Sequence, residues 1–118
     1  MKEEKIKKSI DDQIKENGFA TVVNTFIDIG ILDKLDYDNW RNGKVPYLEK
    51  VCKGNLNKLS ETVKEIYKYS KQLGLKESFT LYKKYGKGKG KGKVKLKFSK
   101  TGIDNIEKRY ATHFIVKH

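Results

Sequence analysis

The first apolar positions of the chain recur at intervals of four. Ile6, Ile10 and Ile14 lie one above another if residues 2–17 are helical, and Asn17-Gly18 supplies a stop. Glu3 with Lys7, Glu4 with Lys8 and Asp11 with Lys15 are spaced for i,i+4 pairing on the solvent side. One apolar residue per turn buries little alone. This helix therefore either docks on the body of the protein or acts as a dimerisation arm, pairing Ile6, Ile10 and Ile14 with a second copy.

Thr21 can cap a second helix carrying Val22, Val23, Phe26, Ile27 and Ile29, the most apolar stretch, which closes near Gly30. Ile31 and Leu32 continue the packing in a turn. A short helix capped by Asp36 or Asp38 runs through Trp40 and Arg41 to Asn42-Gly43. With Asp33, Asp36 and Asp38 nearby, Trp40 reads as a core anchor rather than a base-stacking platform. Pro46 suits the first turn of a further helix reaching about Cys52, with Leu48, Val51 and Cys52 inward. After Lys53-Gly54, Asn55 is a good N-cap. Leu56, Leu59, Val63, Ile66 and Leu73 then form the stripe of a long helix over 55–73, ended by Gly74-Leu75.

Beyond Gly74 the period changes from helical to alternating. Phe79 and Leu81 alternate with Thr80 and Tyr82, a strand ending near Tyr85. Val94, Leu96 and Phe98 alternate with Lys93, Lys95 and Lys97, a second strand whose lysines stand ~7 Å apart on one face. Between them runs Tyr85-Gly86-Lys87-Gly88-Lys89-Gly90-Lys91-Gly92-Lys93, and its 86–93 part predicts a flexible hairpin tip. Thr101-Gly102 leads into a helix with Ile103, Ile106 and Tyr110 on one side. Residues 111–116 fit either a terminal strand or a helix extension. The pattern predicts one α+β domain over residues 1–118, a mainly helical body with one antiparallel β-hairpin.

Hydrophobic and charged residues each make up 36% of the chain, so the core has to come from amphipathic elements. The net charge of +12 is unevenly placed. Residues 1–52 carry nine basic against ten acidic side chains, residues 53–100 fifteen lysines against three glutamates, and residues 101–118 three against two. An excess confined to one structural unit points to a polyanion partner. Only Arg41 and Arg109 are arginines, and lysine suits phosphate better than it suits base edges.

The order helix 45–52, turn, helix 55–73, Gly74-Leu75, strand, basic tip, strand, then Lys97-Phe98-Ser99-Lys100-Thr101-Gly102 entering a helix resembles a winged helix-turn-helix domain over residues 45–110. The resemblance implies DNA binding, with the second helix in the major groove and the wing on phosphates. Groove candidates are then Asn55, Asn57, Lys58, Glu61, Thr62 and Lys64. Wing candidates are Lys87, Lys89, Lys91 and Lys93, with Lys95 and Lys97 on the outward row. Helix 55–73 is longer than is usual for such domains, so its C-terminal half is expected to act as a support. Trp40 to Glu49 also resembles a segment of small bacterial proteins, a likeness that carries no activity.

Other chemistries have less to work with. The tip lacks the Gly-x-x-x-x-Gly-Lys-Ser/Thr order of a phosphate-cradling loop. Cys52, the only cysteine, cannot form an intramolecular disulfide, and with His113 and His118 it shows no metal-ligand spacing. Asp36 and Asp38 point apart on a helix. We expect no enzyme, no cofactor and no metal. Tyr67, Tyr69, Tyr82 and Tyr85 among lysines keep a single-stranded DNA or RNA binder open as an alternative, with Tyr67 nearer the core. A non-catalytic protein-interaction domain is the other. The charged N-terminus and the lack of a run of ~18 apolar residues lead us to expect no membrane span and a cytoplasmic protein.

Overall fold

The computed structural model describes residues 2–79 and 96–116. Helix α1 (Lys2–Asn17) is followed by β1 (Phe19–Thr21), α2 (Val22–Asp28), α3 (Lys34–Arg41), a 3-10 turn at Leu48–Val51, α4 (Leu56–Gln72), β2 (Lys76–Phe79), α5 (Asp104–Ala111) and β3 (Thr112–Ile115). The three strands form an antiparallel sheet in the order β1-β3-β2. The architecture is thus α+β and mainly helical, with a small sheet.

The isoleucine stripe of α1 is spent inside the chain. Ile6 and Ile10 are fully buried, Ile14 packs against the same core, and the helix lies against α4, α2 and β1. Of the two roles expected for this helix it takes the first, docking on the body of the protein, so the apolar face that Ile6, Ile10 and Ile14 would offer to a second copy is covered. Polar contacts fix the docking. The buried Gln13 amide donates to Ser9 Oγ (3.0 Å) and Thr25 Oγ1 (2.9 Å) and accepts from Thr21 N (2.9 Å). Gly18 turns the chain into β1 with φ of 81°, a conformation that side chains with a Cβ rarely adopt. Thr21 caps α2 as its sequence suggests, Oγ1 accepting from Asn24 N at 2.9 Å.

Three elements differ from their sequence pattern. Helix α3 starts at Lys34 behind Asp33, earlier than a cap at Asp36 or Asp38 would put it. The helix expected from Pro46 to Cys52 is a single 3-10 turn, Leu48–Val51. Its first two N–H groups, which a helix leaves without internal partners, are satisfied from outside: Leu48 N donates to the Lys97 carbonyl (3.1 Å) and Glu49 N to the Phe98 carbonyl (2.9 Å). Finally, β2 pairs with β3, at the far end of the chain, a partner the sequence pattern does not indicate; the hairpin predicted between the strand from Phe79 and the strand ending at Phe98 falls largely outside the described residues. Leu96, Lys97 and Phe98 do alternate inward, outward, inward, but they lie outside the sheet ladder, against the 3-10 turn and Trp40. Residues 80–95, which hold the predicted hairpin tip, most of the first predicted strand and half of the second, lie outside the described residues.

The core is a stack of aromatic rings joined to aliphatic side chains. Trp40 is fully buried as expected, 5.0 Å from Phe98. Phe98 stacks on Tyr110 at 5.8 Å, and Tyr110 meets Phe26 edge-on at 6.0 Å. Of residues 111–116, Ala111 is the last residue of α5, Thr112–Ile115 form the strand β3, and Val116 follows it. Ile103, expected on the inward side of that helix, is instead its exposed N-cap.

Candidate nucleic-acid interface

Helix α4 begins as its sequence requires. Asn55 Oδ1 accepts from Lys58 N at 2.9 Å and satisfies one of the free donors of the first turn. Leu59, Thr62, Val63, Ile66 and Ser70 are buried. At about 3.6 residues per turn the opposite face is then centred on Asn57, Lys64, Lys68 and Lys71. These four are exposed. Lys64 and Lys68 stand about 6 Å apart along the axis and Lys71 about 5 Å further on. Glu61 shares this face and Glu65 flanks it. No ion pair joins either glutamate to Lys64 or Lys68.

This geometry sorts the groove candidates. Asn57 and Lys64 lie on the outward stripe. Lys58 is exposed but lies roughly 100° round the helix from Asn57, with its stem against Gly54. The side-chain oxygen of Asn55 is taken by its cap. Thr62 is corrected outright: it is fully buried, and its hydroxyl donates to the Lys58 carbonyl at 2.8 Å, so it cannot face a groove. The C-terminal half of α4, expected to be a support, carries two of the three lysines of the stripe.

Lys87, Lys89, Lys91, Lys93 and Lys95 fall outside the described residues. Lys97 is described, exposed, and held from several sides. Its carbonyl accepts from Trp40 Nε1 at 2.8 Å as well as from Leu48 N. Its stem crosses Gly102, where an added Cβ would come within 2.8 Å of Lys97 Cε. The next two residues are bound by one buried carboxylate. Glu107 accepts from Phe98 N (2.8 Å), Ser99 N (2.7 Å) and Ser99 Oγ (2.7 Å). Glu49 accepts from Lys100 N (3.2 Å) and Tyr110 OH (2.6 Å). Burial, with Glu49 beside it, holds the Tyr110 hydroxyl well above its ordinary value. The basic stretch 80–95 is therefore flanked by two fixed points, the strand β2 before it and this cluster after it. The sequence gives no sign of Glu107 and Glu49, because an acidic residue on a short helix or turn looks like surface.

The tyrosines that could stack on bases divide in the same way. Tyr67 sits edge-on to Phe114 at 5.0 Å, and its hydroxyl donates to the Arg109 carbonyl at 3.1 Å. Tyr69 donates to Asp11 Oδ1 at 2.7 Å beneath the Lys7 ammonium. Both rings are engaged within the chain. Tyr82 and Tyr85 lie outside the described residues.

Of the groups considered for catalysis, Cys52 follows the 3-10 turn. Burial first, then the charges of Glu49 and Asp36, push its thiol from 9.0 up to about 12. It is a protonated thiol at neutral pH, the reverse of an activated nucleophile. His113 lies in β3, stacked on Phe19 at 5.5 Å, and burial lowers its pKa. His118 is not among the described residues. Within those residues no group of three or more His, Cys, Asp or Glu side chains is placed to hold a metal ion, and no helix is long and apolar enough to cross a membrane. Compared with protein-family models, curated proteins and solved structures, the chain matches none.

Proposed function

We propose that the chain is a nucleic-acid-binding module that holds double-stranded DNA mainly through lysine–phosphate contacts. The supporting observation is electrostatic: the whole charge excess falls in residues 53–100, and within them α4 presents Lys64, Lys68 and Lys71 as one outward stripe. The lysines of residues 80–95, together with Lys97, add to the same field. In this reading α4 lies along the backbone rather than reading bases. Thr62 is buried, Asn55 is occupied by its cap, and Asn57 is left as the one uncharged polar group of the stripe suited to a base edge. Sequence preference should accordingly be weak. Single-stranded DNA or RNA held by stacking would have to rely on Tyr82 and Tyr85, since Tyr67 and Tyr69 are turned to internal partners.

The test is duplex binding by fluorescence anisotropy across a salt series. With seven phosphate contacts, three from α4 and four from the lysines of residues 87–93, the slope of log K against log salt is about −6. Replacing Lys64, Lys68 and Lys71 with glutamine should flatten it by about 3, and replacing Lys87, Lys89, Lys91 and Lys93 with serine by about 4. Affinity indifferent to salt, or to both sets of substitutions, overturns the proposal.

A further inference from the structure

We propose that the cleft between α4 and α5 binds a small amphipathic carboxylic acid, with its apolar body against Leu56, Val63 and Ile106 and its carboxylate on Lys100 and Arg109. The cleft has a volume of about 280 Å³. That is just under the usual range of ligand cavities, roughly 300 to 1,000 Å³. It fits a single ring or a short chain, and excludes a nucleotide or a folded peptide.

Its wall comes from elements distant in sequence: the first two turns of α4, the 99–101 loop, α5, and Glu49 of the 3-10 turn. Leu56 stands at this cleft 62% exposed, on the first turn of α4 where it covers none of the core. An isolated exposed leucine means little, but one lining a concave apolar site offers surface that a ligand would cover.

Charge chooses the head group. Glu49 is the acidic member of the wall, and both its oxygens are already bonded, to Tyr110 OH and Lys100 N. The side chains of Lys100 and Arg109 are exposed, and among the described residues neither makes an ion pair. Two available cations against one satisfied carboxylate favour an anion over an amine. The planar fork of Arg109, set 6.0 Å over the Tyr67 ring, suits a carboxylate in particular. The site does not depend on nucleic-acid binding and stands or falls separately.

An amide-shift titration with phenylbutyrate, compared with phenylbutanol, phenylbutylamine and acetate, tests it. Phenylbutyrate should give saturable shifts at Leu56, Ser60, Val63 and Ile106, and bind about tenfold more tightly than the alcohol or the amine. Lys100→Gln with Arg109→Gln should remove that advantage while leaving alcohol binding unchanged. Ser60→Leu, which fills the cleft from the edge of α4, should abolish binding of both at an unchanged melting temperature. Equal binding of acid and alcohol, tighter binding of the amine, the same shifts from acetate, or shifts that never saturate would each overturn the assignment.

Discussion

Ser70 is a buried hydroxyl on the core face of α4 with no hydrogen-bond partner among the described residues. Desolvating such a group costs about 1–3 kcal/mol. Ser70→Ala should therefore raise stability by about 1 kcal/mol, read as a higher urea midpoint with unchanged slope. Glu107 is the opposite case. Its carboxylate answers two backbone donors and one hydroxyl, so Glu107→Ala should cost about 3 kcal/mol, because those donors stay buried without an acceptor. Glu107→Gln should recover only part of the loss, since its amide nitrogen would face an N–H donor. Urea melts of the two variants side by side check the order.

At the scale of the element, α4 was the most legible part of the chain. Asn55 as cap and Gly74 as stop both hold. Gly74 has φ of 74°, its N–H reaches the Lys71 carbonyl (3.0 Å), and Leu75 N reaches the Ser70 carbonyl (3.1 Å). Gly74→Ala should cost about 1 kcal/mol in thermal or urea unfolding, because alanine adopts that backbone only with strain. The stripe was read too far at both ends: Leu56 and Leu73 are exposed, since the core ends one turn inside each terminus. Legibility failed where an element takes its hydrogen bonds from distant residues. Nothing local to Leu48–Val51 announces that its first two N–H groups will meet the carbonyls of Lys97 and Phe98. The alternation of Leu96, Lys97 and Phe98 gave the right inward and outward sides, but these three residues join no strand, because period two reports an extended backbone and says nothing of a sheet partner. The likeness to a winged helix-turn-helix leaned on a helix at 45–52, which proves to be a 3-10 turn. The charge excess of residues 53–100 lies outside that turn altogether. The cluster of Glu49 and Glu107 had no sequence signal at all.

For the whole molecule, titration sets limits on both sides of neutrality. An unfolded chain loses the Cys52 proton near 9.0, while the folded protein keeps it to about 12. Between those values the native state binds more protons than the unfolded one, so stability falls as pH rises. Tyr67 and Tyr110, both raised by burial, act with the same sign above 10. In acid, burial lowers the pKa of His113 from 6.5. The unfolded chain therefore takes up that proton first, and stability falls as pH drops below about 6.5. Urea midpoints across the pH range should peak between the two windows, and Cys52→Ala should reduce the decline above pH 9.

The placement of β3 has a consequence for biosynthesis. The middle strand of the sheet is the one translated last, so β1 and β2, separated by more than fifty residues, have no common partner until Thr112–Ile115 has left the ribosome. Until then α1, α2 and α4 have one another to pack against, but the sheet has no centre to close on. Arrested translation intermediates should stay open to protease digestion however much of α1 to α5 has emerged, and become resistant in one step when those four residues clear the exit tunnel.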